Sequence, residues 1–250
     1  MERSPRVRIG SSIGNPIDPR RRIRAVLFDL DGTLYHQRRM RALMAIELAT
    51  LAFTQPFRAP RNWRALAAYR KAQEDVRLRP LGAATAQLEI VARRTGLMPL
   101  EIEQIVGEWM FERPLKHLPK CRAAGLFELL AFLGSKGVEI GVLSDYPAEA
   151  KLRALGLAGR FSVVLCSTDP EIDALKPHPR GFLTACERWD IDPGDVLAVG
   201  DRFDVDAAGA AAAGMPCVII GRGSKASSNN PGSLVLPSLE RLRHVLDECC

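Results

Sequence analysis

FDLDGTLY, residues 28–35, closes the short apolar run IRAVLF at 23–28 with two carboxylates two positions apart. An apolar run of that length suits a strand buried on both faces. Asp29 and Asp31 repel one another unless a cation lies between them or one of them holds a proton. In an extended segment residues i and i+2 point to the same side, so both aspartates can face one site. Gly32 lets the turn behind them take backbone conformations that other residues resist. The stretch is therefore either a polar turn or a charged reaction centre, and the rest of the chain has to decide.

Runs of the same character recur at 138–143 (VEIGVL), 162–165 (SVVL), 195–199 (DVLAV) and 216–220 (PCVII). Helical signals separate them. Pro147 stands where a first helical residue belongs and Gly156 where a C-cap belongs. A further helix is expected from Pro179, another through the alanines from Asp206 to Gly214, and a last one in SLERLRHVLDE, which puts Leu239, Leu242, Val245 and Leu246 on one face. Strands alternating with helices imply right-handed crossovers and an α/β fold, a doubly wound parallel sheet of Rossmann type. Ligands of such sheets bind beyond the carboxyl ends of the strands.

One segment breaks the alternation. Between Tyr35 and Pro119 the chain shows only helical pattern: RALMAIELATLAF, NWRALAAYRKAQEDVR, TAQLEIVARRTG and PLEIEQIVGEWMF. Structureless connections beyond roughly 15 residues are uncommon, so this insertion is expected to be a helical subdomain. A helix at Cys121–Lys136 is expected to return the chain to the sheet. The expected organisation is a basic tail at 1–22, an α/β core at 23–34 and 120–250, and a helical cap at 35–119.

The residues that follow the strands form a constellation: Asp29, Asp31 and Thr33 after the first, Ser144 and Asp145 after the second, Asp201, Asp204 and Asp206 after the fourth, with Lys176 in LKPHP. Several carboxylates, a hydroxyl and one lysine are what phosphoryl transfer through a covalent aspartyl intermediate requires. A carboxylate facing a phosphate dianion needs a divalent cation. Magnesium prefers hard oxygen ligands, which Asp29 and Asp201 offer without His or Cys. Ser144, Lys176 and backbone N–H groups after Asp29 are placed to meet charge on the transferred group.

These motifs resemble those of the haloacid dehalogenase-like hydrolase superfamily, in its order. FDLDGTLY resembles the first, with Asp29 matching the nucleophile and Asp31 the general acid/base. VLSDYP resembles the second, with Ser144 as phosphate ligand. LKPHP resembles the third, with Lys176 restraining nucleophile and phosphate. VGDRFDVDAAGA resembles the fourth, with Asp201 as metal ligand and either Asp204 or Asp206 as the second acidic position, Asp206 fitting the spacing better. The likeness runs from about Ile23 to about Gly221, and the insertion after the first motif is similar to the helical-cap branch, with its phosphoglycolate phosphatase-like and β-phosphoglucomutase-like enzymes. It implies catalytic Asp29, Asp31 and Lys176, substrate contacts from Thr33, Ser144, Asp145 and Lys176, and Mg2+ held by Asp29, Asp31, Asp201 and Asp206. Asp145 stands where relatives commonly have Asn, and its backbone N–H is the expected phosphate contact.

Composition narrows the alternatives. The chain has 250 residues, 47% of them hydrophobic, and a formal charge of +6. Much of the excess lies in the Arg-, Gly-, Pro- and Ser-containing stretch 1–22, read as a solvated tail; as an arm for nucleic acid it would suit a non-catalytic binding protein on the same fold. No apolar run is long enough for a membrane span and no secretory h-region opens the chain, so a cytoplasmic enzyme is expected. Cys121, Cys166, Cys186 and Cys217 sit in apolar segments without paired spacing and read as core thiols, while Cys249-Cys250 has no companions for a zinc site. The expected function is a magnesium-dependent phosphatase for a small phosphorylated metabolite, with a sugar phosphomutase as the alternative. A dehalogenase needs no acid for a halide leaving group, and Asp31 argues against it.

Overall fold

The first strand of the chain lies in the middle of its sheet. The structure, a computed structural model, describes residues 22–77, 82–221 and 233–249; the tail at 1–21 and Cys250 fall outside them. The strands are β1 (Ala25–Phe28), β2 (Glu139–Ser144), β3 (Val163–Cys166), β4 (Val196–Gly200), β5 (Cys217–Ile220) and β6 (Ser233–Leu236). They form one sheet in the order β3-β2-β1-β4-β5-β6, every pairing parallel. Phe28 is level with Val142 of β2 and Val199 of β4, so the chain leaves β1 at Asp29 between the ends of two neighbours. All of β1 and β4 is buried, as strands covered on both faces must be.

Alternation along β1 divides two cores. Val26 and Phe28 face one layer with Leu129, Leu133, Leu242 and Leu246, while Ala25 and Leu27 face the other with Phe182, Ala185 and Ala210. Cys121, Cys166, Cys186 and Cys217 are buried free thiols.

The insertion holds α1 (Gln37–Thr54), α2 (Arg58–Val76), α3 (Ala83–Thr95), α4 (Pro99–Val106) and α5 (Leu118–Cys121), with a wide turn at Gly107–Glu112 and a tight one at Arg113–His117 before α5. Gly96, at φ 73°, stops α3. Pro99 opens α4, where the Glu101 carboxylate accepts the Met98 N–H at 3.1 Å. The unit has its own small cores, Ala65, Leu66, Ile105 and Trp109 in one and Ala72, Val91, Ile102 and Val106 in another. Its two ends meet: His36 N–H donates to the Cys121 carbonyl at 2.8 Å, Ala123 N–H donates to the Leu34 carbonyl at 3.0 Å, and Tyr35 bridges Arg122.

Three expectations change. The helix expected at Cys121–Lys136 is two pieces, because Arg122 bridges back to Tyr35 and Gly125 takes φ 72° before α6 (Leu126–Ser135) begins. The helix after β2, α7 (Glu149–Ala154), starts two residues beyond Pro147. The alanine segment begins earlier, as a wide turn at Phe203–Ala207 that runs into α9 (Ala208–Ala212). The strand β6 was not anticipated. The remaining helices, α8 (Arg180–Trp189) and α10 (Leu239–Cys249), complete the two layers. No helix among the described residues is long and apolar enough to cross a membrane.

Candidate active site

The carboxyl ends of β1 and β4, with the loop after β3, bring Asp29, Lys176, Asp201 and Asp206 together. Asp29 is fixed by its own backbone, whose N–H donates to the Val199 carbonyl at 2.8 Å. Thr33 Oγ1 donates to Asp29 Oδ2 at 3.0 Å, a link one turn long. Lys176 Nζ donates to Asp29 Oδ1 at 2.5 Å and to Asp206 Oδ1 at 2.7 Å. Asp206 is held from behind by the backbone N–H groups of Asp201 and Arg202, both 3.1 Å from its Oδ2. Asp204, the other reading of the fourth motif, lies at the surface and pairs with Arg202 at 2.5 Å.

Carboxyl oxygens of Asp29, Asp201 and Asp206 lie within 4.8 Å of one another. Their crowding shows in the electrostatics. Burial, aided by Asp206 and Asp201 and opposed by Lys176, pushes Asp29 up to about 7. Burial and then Asp206 push Asp201 up to about 6 against Lys176 and Arg202. Burial disfavours the Lys176 ammonium, yet Asp206, Asp29 and Asp145 outweigh it and its pKa lies above the ordinary value. The Lys176 ammonium thus bonds two of the crowded carboxylates, Asp29 and Asp206, but not Asp201. Among the described residues the Asp201 carboxylate accepts no side-chain hydrogen bond, which leaves its oxygens for another cation. Hard oxygen donors, converging and short of positive charge, fit Mg2+. Such an ion, held by Asp29 and Asp201 with Asp206 beside them, would offset the like charges and bring a phosphate dianion up to Asp29.

The Asp31 carboxylate is outside this group. Lys151 Nζ donates to both its oxygens, at 2.6 and 2.7 Å, and the Tyr35 hydroxyl donates to Oδ1. Burial and then the Asp31 charge raise Tyr35 well above the ordinary tyrosine range. Ser144 is buried at the end of β2, its Oγ accepting the Tyr146 N–H at 3.2 Å. The Asp145 carboxylate turns away from Asp29: Oδ2 accepts from Arg77 at 2.6 Å, Oδ1 from Ser167 Oγ at 2.9 Å and from the Lys176 N–H at 3.1 Å. Gly32, at φ 118°, lies so close to Asp201 that a Cβ there would sit 2.2 Å from Oδ2.

Lys151, Tyr35 and Arg77 were not singled out from the sequence. Tyr35 lies four residues beyond Asp31, a separation that could have pointed to it; Lys151 lies on α7 and Arg77 caps the end of α2, and their reach depends on docking.

Fold and site together define an α/β enzyme with a carboxylate and lysine centre at the strand ends. The chain belongs to the haloacid dehalogenase-like hydrolase family, whose model matches residues 23–214. It is 31% identical over 229 residues to a phosphoglycolate phosphatase of Xylella fastidiosa, covering 89% of this chain and 91% of the relative. It is 30% identical over 190 residues to an N-acetylmuramic acid 6-phosphate phosphatase of Pseudomonas aeruginosa, covering 73% and 75%. The fold is that of a HAD phosphatase from Thermococcus onnurineus, with a TM-score of 0.62, 24% identity, and coverage of 89% of this chain and 97% of that one.

Proposed function

We propose that this hydrolase is a magnesium-dependent phosphatase that cleaves a small phosphorylated metabolite through an aspartyl phosphate. The observation that carries the reading is the position of Asp29, half-buried, bonded to Thr33 and Lys176 and flanked by Asp201 and Asp206. Mg2+ would supply charge neutralisation at the phosphate. An Asp29 carboxylate oxygen bonds to phosphorus as the ester oxygen leaves, and the Asp31 carboxyl gives that oxygen a proton. Asp31 then takes a proton from water; the water oxygen bonds to phosphorus, the Asp29–phosphorus bond breaks, and inorganic phosphate departs. Lys151 and Tyr35 hold the Asp31 carboxylate in one orientation, Lys151 by bonds to both its oxygens. Lys176 and the Ser144 hydroxyl supply donors for the equatorial oxygens. The phosphatases among the relatives support the same reaction class.

The test is phosphate release from a generic aryl phosphate in Mg2+, followed by a panel of phosphorylated metabolites. Asp29→Asn is expected to abolish release while leaving the fold intact, and substantial turnover by that variant refutes the assignment. Interconversion of sugar phosphates without net release would replace the phosphatase with a mutase.

A further inference from the structure

The end of α2 and its C-cap meet the catalytic loops through three residues, Gln73, Glu74 and Arg77. Gln73 accepts a hydrogen bond from the Tyr146 hydroxyl. Glu74 accepts from Arg202 at 3.1 Å. Arg77 reaches furthest: Nη1 donates to Asp145 Oδ2 at 2.6 Å and to the Lys176 carbonyl at 2.7 Å, and Nε donates to Glu74 at 2.9 Å. Val76 and Ala86 pack on Leu175 beside them, and Gly82 N–H donates to Asp173 at 2.9 Å. Each of the partners outside the insertion lies in a loop that follows a strand.

The contacts around Lys176 have a particular form. Arg77 binds its carbonyl, Asp145 binds its N–H, and Arg77 and Asp145 bind each other with side chains only 9% exposed. The peptide units on both sides of Lys176 are thereby clamped between the insertion and the loop after β2, while the ammonium at the far end sits on Asp29 and Asp206. Apolar residues of equal volume would stabilise such a junction about as well as a buried ion pair. A charged fork that matches a carboxylate and a carbonyl at once adds geometry. It also accounts for an aspartate, where an asparagine would leave Arg77 only the half-exposed Glu74 carboxylate.

We propose that Arg77 is a positioning residue, carried by the inserted helices, that sets Lys176 against Asp29 only when the insertion is seated on the core. Seating of the insertion and assembly of the centre are then one event, as in enzymes that complete their site on closure. The inference rests on the phosphatase reading for its kinetic arm alone.

Asp145→Asn keeps the side-chain shape and removes the charge that Arg77 grips. It is expected to lower kcat for an aryl phosphate by about 10²-fold, the scale of a small misplacement of a catalytic group, with little change in KM. It should also reduce amide hydrogen-exchange protection over residues 70–77 without any substrate present. Arg77→Met buries an unpaired Asp145 and should lower Tm. The double variant Arg77→Met with Asp145→Asn has no unpaired charge and should regain Tm while kcat stays low. Recovery of kcat together with Tm in the double variant overturns the proposal, as does wild-type kcat in Asp145→Asn or unchanged exchange over 70–77. A wild-type protein that releases no phosphate from any phosphomonoester defeats the phosphatase reading, and the exchange measurement still decides the coupling.

Discussion

Replacing Asp201 by Asn should make the metal-free protein more stable while removing its response to magnesium. In the folded chain Asp201 holds its proton up to about pH 6, and Asp29 up to about 7, each from an ordinary value of 3.8. Between those values the unfolded chain gives up protons that the folded chain keeps. Stability is therefore present in full below about pH 4 for these two groups and is lost as pH rises toward neutrality. The shift of Asp201, from 3.8 to about 6, corresponds to at most roughly 3 kcal/mol at pH 7.5 at about 1.4 kcal/mol per pKa unit. In a chain of this size that is about 5–10 °C in Tm. The assay is thermal unfolding between pH 5.5 and 7.5 with a chelator, repeated in Mg2+. Wild-type Tm should fall with pH in the chelator and recover in Mg2+; Asp201→Asn should start higher at pH 7.5, fall less and ignore Mg2+. A flat or rising wild-type profile in the chelator, or an undiminished Mg2+ response in the variant, refutes the carboxylate crowding on which the metal site rests.

Gly32→Ala should fail for two independent reasons, strain at φ 118° worth about 1–3 kcal/mol and a Cβ 2.2 Å from Asp201 Oδ2. Loss of both activity and the Mg2+-dependent rise in Tm would show it, and a variant with wild-type Mg2+ response would contradict the close approach. Lys151→Met should cost up to roughly 3–5 kcal/mol, because it strips the Asp31 carboxylate of its buried cation. Denaturant unfolding measures this, and an unchanged midpoint would mean that the pair does not hold Asp31.

Much of the sheet was legible because its strands are runs of consecutive apolar residues bounded by Pro, Gly or Asp. The run SLVL escaped because it follows a Gly-, Ser- and Asn-rich stretch and is only partly buried. The helix read through 121–125 failed for a related reason: a local pattern carries no sign that Arg122 pairs with Tyr35 across the width of the insertion. In the site, the strand-end aspartates and Lys176 declare themselves by position along the chain, since the topology alone sends them to one edge. Lys151 and Arg77 do not. Each is one basic residue among many on a helix, and only the way α7 and α2 pack turns the former onto Asp31 and the latter onto Asp145.

The hydrogen bonds that join His36 to Cys121 and Leu34 to Ala123 set the exit and the return of the inserted helices side by side. The chain enters and leaves the insertion through that one paired stem, and β1 and β2 on either side of it are neighbours in the sheet. Such an attachment makes the helical unit an exchangeable part. Recombination at the stem could trade one set of helices for another with the sheet order left in register, so that a lineage built on this core can change what it admits, provided each replacement brings its own contact to the Lys176 loop in place of Arg77.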